Sequence, residues 1–366
     1  MMLSVRRIGV LTSGGDCAGL NTAIRAVAQR AIRHYGWTVL GIKNGTLGLM
    51  NRPLETVELT PDILAGGLFR MGGTMLGTTN RGDPFAYPMP DGSIRDRSGD
   101  FVEGFRMLGL DALIVIGGDG SMHILNKLCR QGNIPMVGIP KTIDNDVYRT
   151  DAAIGFSTAV SVVVEALDRL QPTAASHHRV MILEVMGRNS GYIGMYGGVA
   201  GGADVILIPE IPYSIDAIVG RIREIRAEGR SHALVVVAEG CRTEDGQTVT
   251  QALAAAGGQG RLGGIGQYLA ARLEEQVDAE VRVTVLGHLQ RGGEPSNQDR
   301  LLASSFGVHA VDLVAEGQFD RMVVWQNMDV SDVAISKVVI GARSVSREDM
   351  MLQTARGLGI YVGELG

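Results

Sequence analysis

The sequence of 366 residues predicts an α/β protein with two doubly wound, mostly parallel-sheet lobes. Short runs rich in valine, isoleucine and leucine alternate with stretches whose apolar residues recur at the helical period. The short runs are apolar at nearly every position, which is typical of parallel strands that are covered on both faces. Because ligands of such folds bind beyond the carboxyl ends of the strands, we expect the active site in the cleft between the lobes.

Strand-like and helix-like segments alternate along most of the chain. The predicted strands are Val5–Leu11, Thr38–Ile42, Ala112–Ile116, Met136–Ile139, Val180–Val185, Val205–Ile208, Leu234–Ala238 and Val281–Leu286. The predicted helices are Leu20–His34, Ser121–Arg130, Ser157–Leu170, Ile215–Ala227, Ile265–Gln276 and Asp299–Glu316. In Ser157–Leu170, for example, valine and leucine repeat at i, i+3, i+4 and i+7, which places them on one helix face.

A second set of strands, which begins near Val180, indicates the second lobe. We expect the first lobe to comprise residues 1–155 and roughly 290–325, and the second lobe to comprise residues 156–289. Residues 326–366 form a C-terminal extension, which the sequence assigns to neither lobe.

The composition excludes several classes of protein. A net charge of −5 argues against nucleic acid as a partner, because nucleic-acid binding needs a basic surface. The three cysteines are too far apart for a zinc site or a disulfide framework, which indicates a reducing compartment. The sequence shows neither a secretory signal nor an apolar stretch of about eighteen residues. We therefore expect a soluble, cytoplasmic protein without a membrane partner.

A glycine-rich turn, Thr12-Ser-Gly-Gly-Asp16, joins the first predicted strand to the first predicted helix. Its glycines let backbone amides approach a phosphate group at the helix N-terminus. The turn matches neither the dinucleotide-binding pattern nor the Walker pattern. A tight strand-to-helix turn without a ligand is therefore an equally good interpretation of this segment alone.

A second glycine-rich segment, Gly117–Ser121, follows the apolar run 112–116. The amides from Gly118 to Ser121 can contact phosphate oxygens, and the carboxylate of Asp119 can reach a magnesium ion. Mg²⁺ usually takes one or two carboxylates together with substrate phosphates, so one aspartate is sufficient. The alternative is a β-turn in which Asp119 caps the following helix.

The loop Pro140–Asp146 is the most specific segment, because it places two aspartates, a threonine and a lysine after another strand. Burying two carboxylates two residues apart is costly unless they are used. We expect Asp144 to be a general base for a substrate hydroxyl and Lys141 to lie against phosphate charge. A solvated acidic turn is the alternative. Together the two loops predict phosphoryl transfer.

These segments resemble the motifs of the phosphofructokinase family, and further segments agree in the same order between about Val5 and Gly317. The matching segments are Thr12–Asp16, Gly117–Ser121, Pro140–Asp146, Ser176–Arg179, Met186–Arg188, Glu239, Arg282 and Gly287–Gly293. The resemblance implies transfer of the γ-phosphoryl group of Mg-ATP to the 1-hydroxyl of fructose 6-phosphate. It also implies that the first lobe binds the phosphate donor and the second lobe binds the sugar phosphate.

The resemblance implies roles for individual residues. The catalytic residues would be Asp144, Thr142 and Arg188, whose planar guanidinium can grip phosphate oxygens bidentately. The donor would be bound by Gly15, Arg81, Gly118, Asp119, Gly120 and Ser121, with Asp119 also at the metal. The sugar phosphate would be bound by Thr142, Asp144, Asp146, Arg179, Met186, Gly187, Arg188, Glu239, Arg282, His288 and Arg291. In the family, the arginines that correspond to Arg179 and Arg282 act across a subunit interface, which implies a homodimer or homotetramer.

The sequence departs from the common bacterial pattern of the family at three places. Arg81 stands one position late, with Asn80 in the usual place of the arginine. In the effector pocket Arg25 persists, but Gln29, Gln171 and Glu228 replace expected basic residues, so the usual nucleotide regulation is not expected. Residues 87–99 form an insertion, whose role the sequence does not indicate.

The choice of phosphate donor depends on Gly120 and Lys141. In the family, aspartate in place of Gly120 accompanies pyrophosphate, whereas glycine leaves room for a nucleotide. Lysine in place of Lys141 is usual in pyrophosphate enzymes but also occurs in a mixed-substrate subgroup, whose glycine-bearing members use ATP. We therefore expect ATP. A pyrophosphate-dependent enzyme and a non-catalytic subunit that binds sugar phosphate or nucleotide are the alternatives.

Overall fold

The computed structural model describes residues 6–80, 82–251 and 261–364. The chain divides into two compact units. The first unit comprises Met1–Thr158 and Arg291–Arg343, and the second comprises Ala159–Gln290 and Ser344–Gly366. The C-terminal extension is thus shared: it belongs to the first unit up to Arg343 and to the second unit from Ser344.

The predicted α/β class with mainly parallel sheets is confirmed. The strands are β1 (Arg7–Ser13), β2 (Thr38–Ile42), β3 (Thr56–Glu58), β4 (Tyr87–Pro88), β5 (Ile94–Arg95), β6 (Ala112–Gly117), β7 (Met136–Thr142), β8 (Ile154–Gly155), β9 (Val180–Val185), β10 (Val205–Leu207), β11 (Ala233–Ala238), β12 (Thr250–Gln251), β13 (Arg261–Leu262), β14 (Val281–Val285), β15 (Arg321–Gln326) and β16 (Asp329–Ala334). The helices are α1 (Leu20–Tyr35), α2 (Leu47–Met50), α3 (Ser98–Met107), α4 (Asp119–Gly132), α5 (Phe156–His177), α6 (Tyr192–Ala200), α7 (Ile215–Ala227), α8 (Ile265–Glu274), α9 (Asn297–Ala315) and α10 (Met350–Gly357). No helix in the described part of the chain is long and apolar enough to cross a membrane.

The first unit contains the large sheet, in the order β16-β15-β7-β6-β1-β2-β3, with β8 also paired to β7. Strands β2, β1, β6, β7 and β15 run parallel, and only the pairs at the two edges, β2–β3 and β15–β16, are antiparallel. The central strand β6 is buried along its whole length, as its continuous apolar sequence predicts. Because β1, β6 and β7 are neighbours, the three loops that follow them lie at one edge of the sheet.

The second unit contains the smaller sheet, in the order β10-β11-β9-β14, in which every pair is parallel. The C-terminal extension completes this unit: Tyr361 forms a parallel bridge to Val205 of β10, and α10 buries Leu352 and Ala355. The segments that follow β9, β10 and β11 therefore lie at the carboxyl edge of this sheet, where α/β proteins bind ligands.

Several element boundaries differ from the sequence prediction. Helix α4 begins at Asp119, two residues earlier than predicted, so the segment Gly117–Ser121 is not a free loop. Strand β7 continues to Thr142, so Lys141 and Thr142 belong to the strand and not to the loop after it. Helix α5 continues beyond Leu170 to His177, through Pro172.

Four helices of the described chain and the insertion at 87–99 had no clear signal in the sequence. Helices α2, α3, α6 and α10 were not predicted. The insertion forms the short hairpin β4–β5 and then enters α3. Helix α3 closes over the core of the first unit with Phe101, Val102 and Phe105.

Candidate active site

The turn after β1 lies against the start of α4 and against Lys141. Gly14 has a φ of +87°, and a Cβ on it would lie 3.0 Å from Ser121 Oγ and 3.1 Å from Lys141 Nζ. Its backbone amide donates a hydrogen bond to the carbonyl oxygen of Thr79 at 2.9 Å. The structure thus brings together two of the segments that the sequence predicted to bind phosphate.

The N-terminus of α4 contributes the second phosphate-binding segment. Gly118 precedes the helix with an extended backbone, and the first intrahelical bond runs from the amide of Met122 to its carbonyl oxygen at 2.9 Å. The first amides of a helix have no acceptor within the helix and, with the helix dipole, favour an anion. Apart from the neighbouring residues and the backbone of α4 itself, no described atom lies within 4 Å of the position that a Cβ on Gly120 would take. This end of α4 is therefore open enough for a bulky phosphate ligand.

The acidic turn after β7 is held by its own hydrogen bonds. The hydroxyl of Thr142 donates to Asp146 Oδ1 at 3.0 Å and accepts from the amide of Asp144 at 3.1 Å. Asn145 lies in the left-handed region, with a φ of 52°, and its side chain bonds the backbone of Asp151 and of Ala153, each at 3.1 Å. These bonds fix the two aspartates on one rigid turn, with Asp144 half-buried.

This turn lies beside the start of α4. Strands β6 and β7 pair up to Gly117 and Pro140, and a Cβ on Gly118 would lie 3.4 Å from the carbonyl oxygen of Lys141. Burial raises the pKa of Asp146, and the negative charge of Asp119 raises it further. The two carboxylates therefore repel each other, and a bound cation would relieve that repulsion.

The donor set at this place fits a divalent metal that substrate phosphates help to bind. Asp119 and Asp146 supply two carboxylates, which is the number that Mg²⁺ commonly takes in such sites. No group of three or more His, Cys, Asp or Glu side chains in the described part of the chain could hold a metal alone. A metal here would therefore depend on phosphate oxygens for the rest of its ligands.

Lys141 lies within strand β7 and not in the loop that the sequence predicted. Its side chain is 4% exposed and lies in β7, beneath the turn after β1, where its ammonium donates to the carbonyl oxygen of Gly15. Burial lowers the pKa of Lys141, and the positive charge of Arg291 lowers it further. The lysine thus holds the turn after β1 from within the sheet and does not project from a loop.

Arg291 also lies against the turn after β1. Its Nη1 donates to the carbonyl oxygen of Asp16 at 3.1 Å, and a Cβ on Gly15 would lie 2.8 Å from the same nitrogen. The resemblance assigned this arginine to the sugar phosphate. In the structure its guanidinium is in contact with a turn that was assigned to the donor.

In the second unit, the segments after β9 and β11 position Arg188 and Glu239. The strands pair up to Val185 and Ala238, so Met186 and Glu239 both follow the ends of neighbouring strands. The amide of Met186 donates to Gln290 Oε1 at 2.6 Å. Sequence reasoning did not single out Gln290, although it lies inside the matching segment Gly287–Gly293.

Two glycines fix the path of the chain around Arg188. Gly187 has a φ of +139°, which a residue with a side chain rarely adopts. A Cβ on Gly240 would lie 1.9 Å from the carbonyl oxygen of Arg188, so any larger residue there would displace the arginine backbone. The exposed guanidinium of Arg188 is thus carried by a tightly packed backbone.

Arg179 and Arg282 lie at the opposite edge of the same sheet. Arg179 directly precedes β9, Arg282 is the second residue of β14, and both guanidinium groups pair with the carboxylate of Glu280. His288 lies beyond the carboxyl end of β14, in the 3₁₀ turn Gly287–Arg291. The two arginines are therefore separated from Met186, Arg188 and His288 by the length of the strands. Arg81 lies outside the described residues.

Comparisons with known proteins agree on one family. A family model described as Phosphofructokinase matches residues 7–314. The curated relative ATP-dependent 6-phosphofructokinase 1 of Synechocystis sp. is 55% identical over 362 residues, which cover 99% of each chain. ATP-dependent 6-phosphofructokinase 1 of Nostoc sp. is 56% identical over 365 residues, which cover 99% of this chain and 100% of the relative.

Solved structures give the same picture of the fold. Phosphofructokinase of Pichia pastoris in the T-state is 30% identical with a TM-score of 0.79, and the match covers 92% of this chain and 35% of that longer chain. A pyrophosphate-dependent phosphofructokinase of Nitrosospira multiformis has a TM-score of 0.81 at 19% identity, covering 98% of this chain and 93% of that chain. At that identity the second likeness concerns the fold alone.

Proposed function

The chain belongs to the phosphofructokinase family, and we propose that it is an ATP-dependent 6-phosphofructokinase. It transfers the γ-phosphoryl group of ATP to the 1-hydroxyl of fructose 6-phosphate, as a step of glycolysis. The observation that carries the proposal is the acidic turn of Asp144 and Asp146 beside the N-terminus of α4. That arrangement places a proton acceptor next to a phosphate-binding helix end, which is what phosphoryl transfer to a hydroxyl requires.

Asp144 acts as the general base in this proposal. Thr142 holds the turn through its two hydrogen bonds, which fix the backbone of Asp144, the residue that faces the acceptor hydroxyl in this proposal. Proton removal by a positioned carboxylate makes the hydroxyl oxygen a better nucleophile. Arg188 compensates the negative charge of the transferring group, and its guanidinium suits bidentate contact with phosphate oxygens.

We propose Mg²⁺ as the divalent metal, with Asp119 as its main protein ligand and Asp146 near by. When bound, Mg²⁺ neutralises the charge on the donor phosphates. The amides of Gly118 to Ser121 and the turn at Gly15 hold the remaining phosphate oxygens. Met186, Gly187, Arg188, Glu239, His288 and Arg291 bind the sugar phosphate in this proposal.

ATP is the donor in this proposal, which the open space beside Gly120 supports, since no side chain there obstructs a nucleotide. Relatives at 55% and 56% identity are named ATP-dependent enzymes. The buried position of Lys141 supports a role in holding the turn at Gly15, which either donor would need, so the lysine does not favour pyrophosphate. The non-catalytic alternative has no support, because Asp119 and Asp144 are both present.

A direct donor assay tests the proposal. Purified protein is incubated with fructose 6-phosphate and Mg²⁺, and the turnover with ATP is compared with the turnover with pyrophosphate at equal concentrations. We expect ATP to be used at least about tenfold faster, which corresponds to about 1.4 kcal/mol in activation free energy. Faster turnover with pyrophosphate would overturn the assignment of ATP as the donor. No turnover with either donor would overturn the proposed function.

We further propose a homodimer or homotetramer in the cytoplasm. Arg179 and Arg282 lie at the far edge of their sheet from Arg188, which favours their action on the site of a neighbouring subunit. Cys17, Cys129 and Cys241 are all free and buried, which suits a reducing compartment.

A further inference from the structure

A cavity of about 440 Å³ lies in the second unit, next to the segments that carry Arg188 and Glu239. Its walls come from Arg188 and Asn189 after β9, from Ile208–Tyr213 after β10, and from residues after β11. It therefore lies beyond the carboxyl ends of three parallel strands, the usual ligand position in such sheets. Its volume is within the range of small-molecule pockets.

The cavity is separate from the acceptor site proposed above. Among the described residues, Arg188 is the only member of the proposed sugar-phosphate set that lines it. Met186, Glu239 and His288 do not belong to its walls. The two spaces thus share one guanidinium and otherwise use different side chains.

Glu210, a wall residue of this cavity, has one carboxylate oxygen without a partner among the described residues. Its Oε1 accepts hydrogen bonds from the amides of Gly191 and Val345, each at 2.9 Å. Its Oε2 is buried and has no hydrogen-bond partner among the described residues. Because a buried polar atom without a partner is unfavourable, this oxygen favours a ligand that donates a hydrogen bond.

Tyr213 presents a second unused polar atom. Its side chain is 9% exposed, and its hydroxyl is buried without a hydrogen-bond partner in the part of the chain that the structure describes. Burial raises the pKa of Tyr213, so the hydroxyl stays protonated and can both donate and accept. Both unpartnered atoms belong to wall residues of the same cavity.

The cavity also carries positive charge. Arg188 and Arg242 both line it, are exposed, and form no ion pair within residues 6–80, 82–251 and 261–364. Glu244, the other acidic wall residue, already accepts a hydrogen bond from the amide of Ile215 at 2.8 Å. The two guanidinium groups are therefore available to an anion.

We propose that this cavity is a second ligand site, which binds a small hydroxylated anion of the phosphorylated or carboxylated polyol class. The anionic group contacts Arg188 and Arg242, and a hydroxyl group of the ligand donates to Glu210 and bonds Tyr213. Since Arg188 also serves phosphoryl transfer, the ligand changes kcat. That last consequence rests on the proposed function, whereas the binding itself does not.

Glycerol 3-phosphate is the probe for the test, by calorimetric titration of the full chain without nucleotide. We expect saturable binding with one site per chain, and weaker binding of glycerol and of inorganic phosphate. Tyr213→Phe and Glu210→Gln should each weaken it at least about tenfold, a loss of one ligand hydrogen bond or more. Tyr35→Phe, which removes a hydroxyl from the first unit, and Glu239→Gln, which alters the proposed acceptor site, should leave it unchanged.

Three results would overturn the proposal: no saturable binding of glycerol 3-phosphate, equal affinity of the Tyr213→Phe chain, or equal affinity for inorganic phosphate alone. Thermal unfolding of each variant checks that it folds. If Glu210→Gln does not fold, the affinity of Tyr213→Phe for glycerol 3-phosphate is the deciding measurement. The titration needs no turnover. If the protein shows no turnover in the donor assay but binds glycerol 3-phosphate, the proposed function is refuted and the proposed second ligand site still stands.

Discussion

At the scale of single residues, Asp144 and Gly120 decide the two halves of the proposed chemistry. Asp144 lies on a turn whose backbone is fixed by the side chains of Thr142 and Asn145. Gly120 lies on the first turn of α4, with open space where its side chain would be. In the proposed mechanism Asp144 removes the proton of the acceptor hydroxyl, and Gly120 leaves space for the donor.

Replacement of Asp144 by asparagine should abolish the base while keeping the shape of the turn. We expect kcat to fall by about 10²–10⁴, the range for a general base, with little change in the KM for fructose 6-phosphate. Steady-state kinetics with saturating Mg-ATP measures both constants. Asp151→Asn, an exposed aspartate after the same turn, is the matched control and should keep wild-type kcat. Normal kcat in Asp144→Asn would remove Asp144 from the role of base.

Replacement of Gly120 by aspartate should act on the donor and not on the fold. An acidic residue in the first turn of a helix is tolerated, and the space around Gly120 accepts a side chain, so unfolding free energy should change by less than about 0.5 kcal/mol. The KM for ATP should rise at least about tenfold, because the new carboxylate occupies donor space and repels its phosphates. Gly120→Ala should keep most of the ATP affinity. An unchanged KM in the aspartate variant would show that Gly120 does not select the donor.

At the scale of elements, one buried carboxylate connects β8 and α5 to α9. Asp299 of α9 is 1% exposed and accepts from the amide of Gly155 at 2.9 Å and from the amide of Thr158 at 2.8 Å. Strand β8 pairs in turn with Lys141 and Thr142 of β7. The position of the acidic turn after β7 therefore depends on Asp299, which lies more than a hundred positions further along the chain.

Asp299→Asn should destabilise the protein by about 1–3 kcal/mol, because the amide cannot accept all of these hydrogen bonds. Burial raises the pKa of Asp299, so its proton is held more tightly in the folded state than in the unfolded state. The stability from that proton is present below the ordinary aspartate pKa and is lost as pH rises through the raised value. The difference between wild type and variant should thus be larger near pH 4.5 than near pH 7.5.

Urea unfolding at the two pH values measures that difference. The matched control is Asp168→Asn, an exposed aspartate on α5, which should show little destabilisation at either pH. A larger difference near neutral pH would contradict the raised pKa of Asp299.

The elements that the sequence predicted are those whose local pattern agrees with their packing. Strands β1, β6, β9 and β11 are short apolar runs and are buried along nearly their full lengths. Helix α6 was missed because its sequence is rich in glycine, which disfavours helices. The packing explains those glycines: a Cβ on Gly197 would lie 2.6 Å from Val163, and a Cβ on Gly198 would lie 2.6 Å from Ile206.

For the candidate site, the sequence predicted which loops meet but not how each side chain is used. The neighbouring positions of β1, β6 and β7 bring the predicted loops together, as the parallel fold requires. The burial of Lys141 could not be predicted, because a lysine next to two aspartates normally indicates an exposed ion pair. Its acceptor, the carbonyl oxygen of Gly15, belongs to a turn 126 positions away, which no local pattern reveals.

At the scale of the whole molecule, the arrangement of Arg179 and Arg282 predicts that one subunit completes the site of another. We expect neither Asp144→Asn nor Arg282→Leu to be active alone. Mixed dimers of the two variants contain one intact site in two, so a statistical mixture should recover about a quarter of wild-type activity. Activity is measured after the two variants are refolded together, and again after they are mixed without refolding. Activity equal to the sum of the separate variants would show that the arginines act within their own chain.

The division of the chain also affects how the protein is made. The polypeptide passes between the units after Thr158, after Gln290 and after Arg343, so neither unit is a continuous stretch. On the ribosome, β7 is finished long before its neighbour β15 is synthesised. About 180 residues separate the two strands, and ribosomes add about 5–20 residues per second. The edge of β7 at Val137 and Gly138 therefore stays unpaired for roughly 10–40 s before β15 is made. During that time the nascent chain carries an open strand edge, which makes it a target for mispairing and a natural client for chaperones.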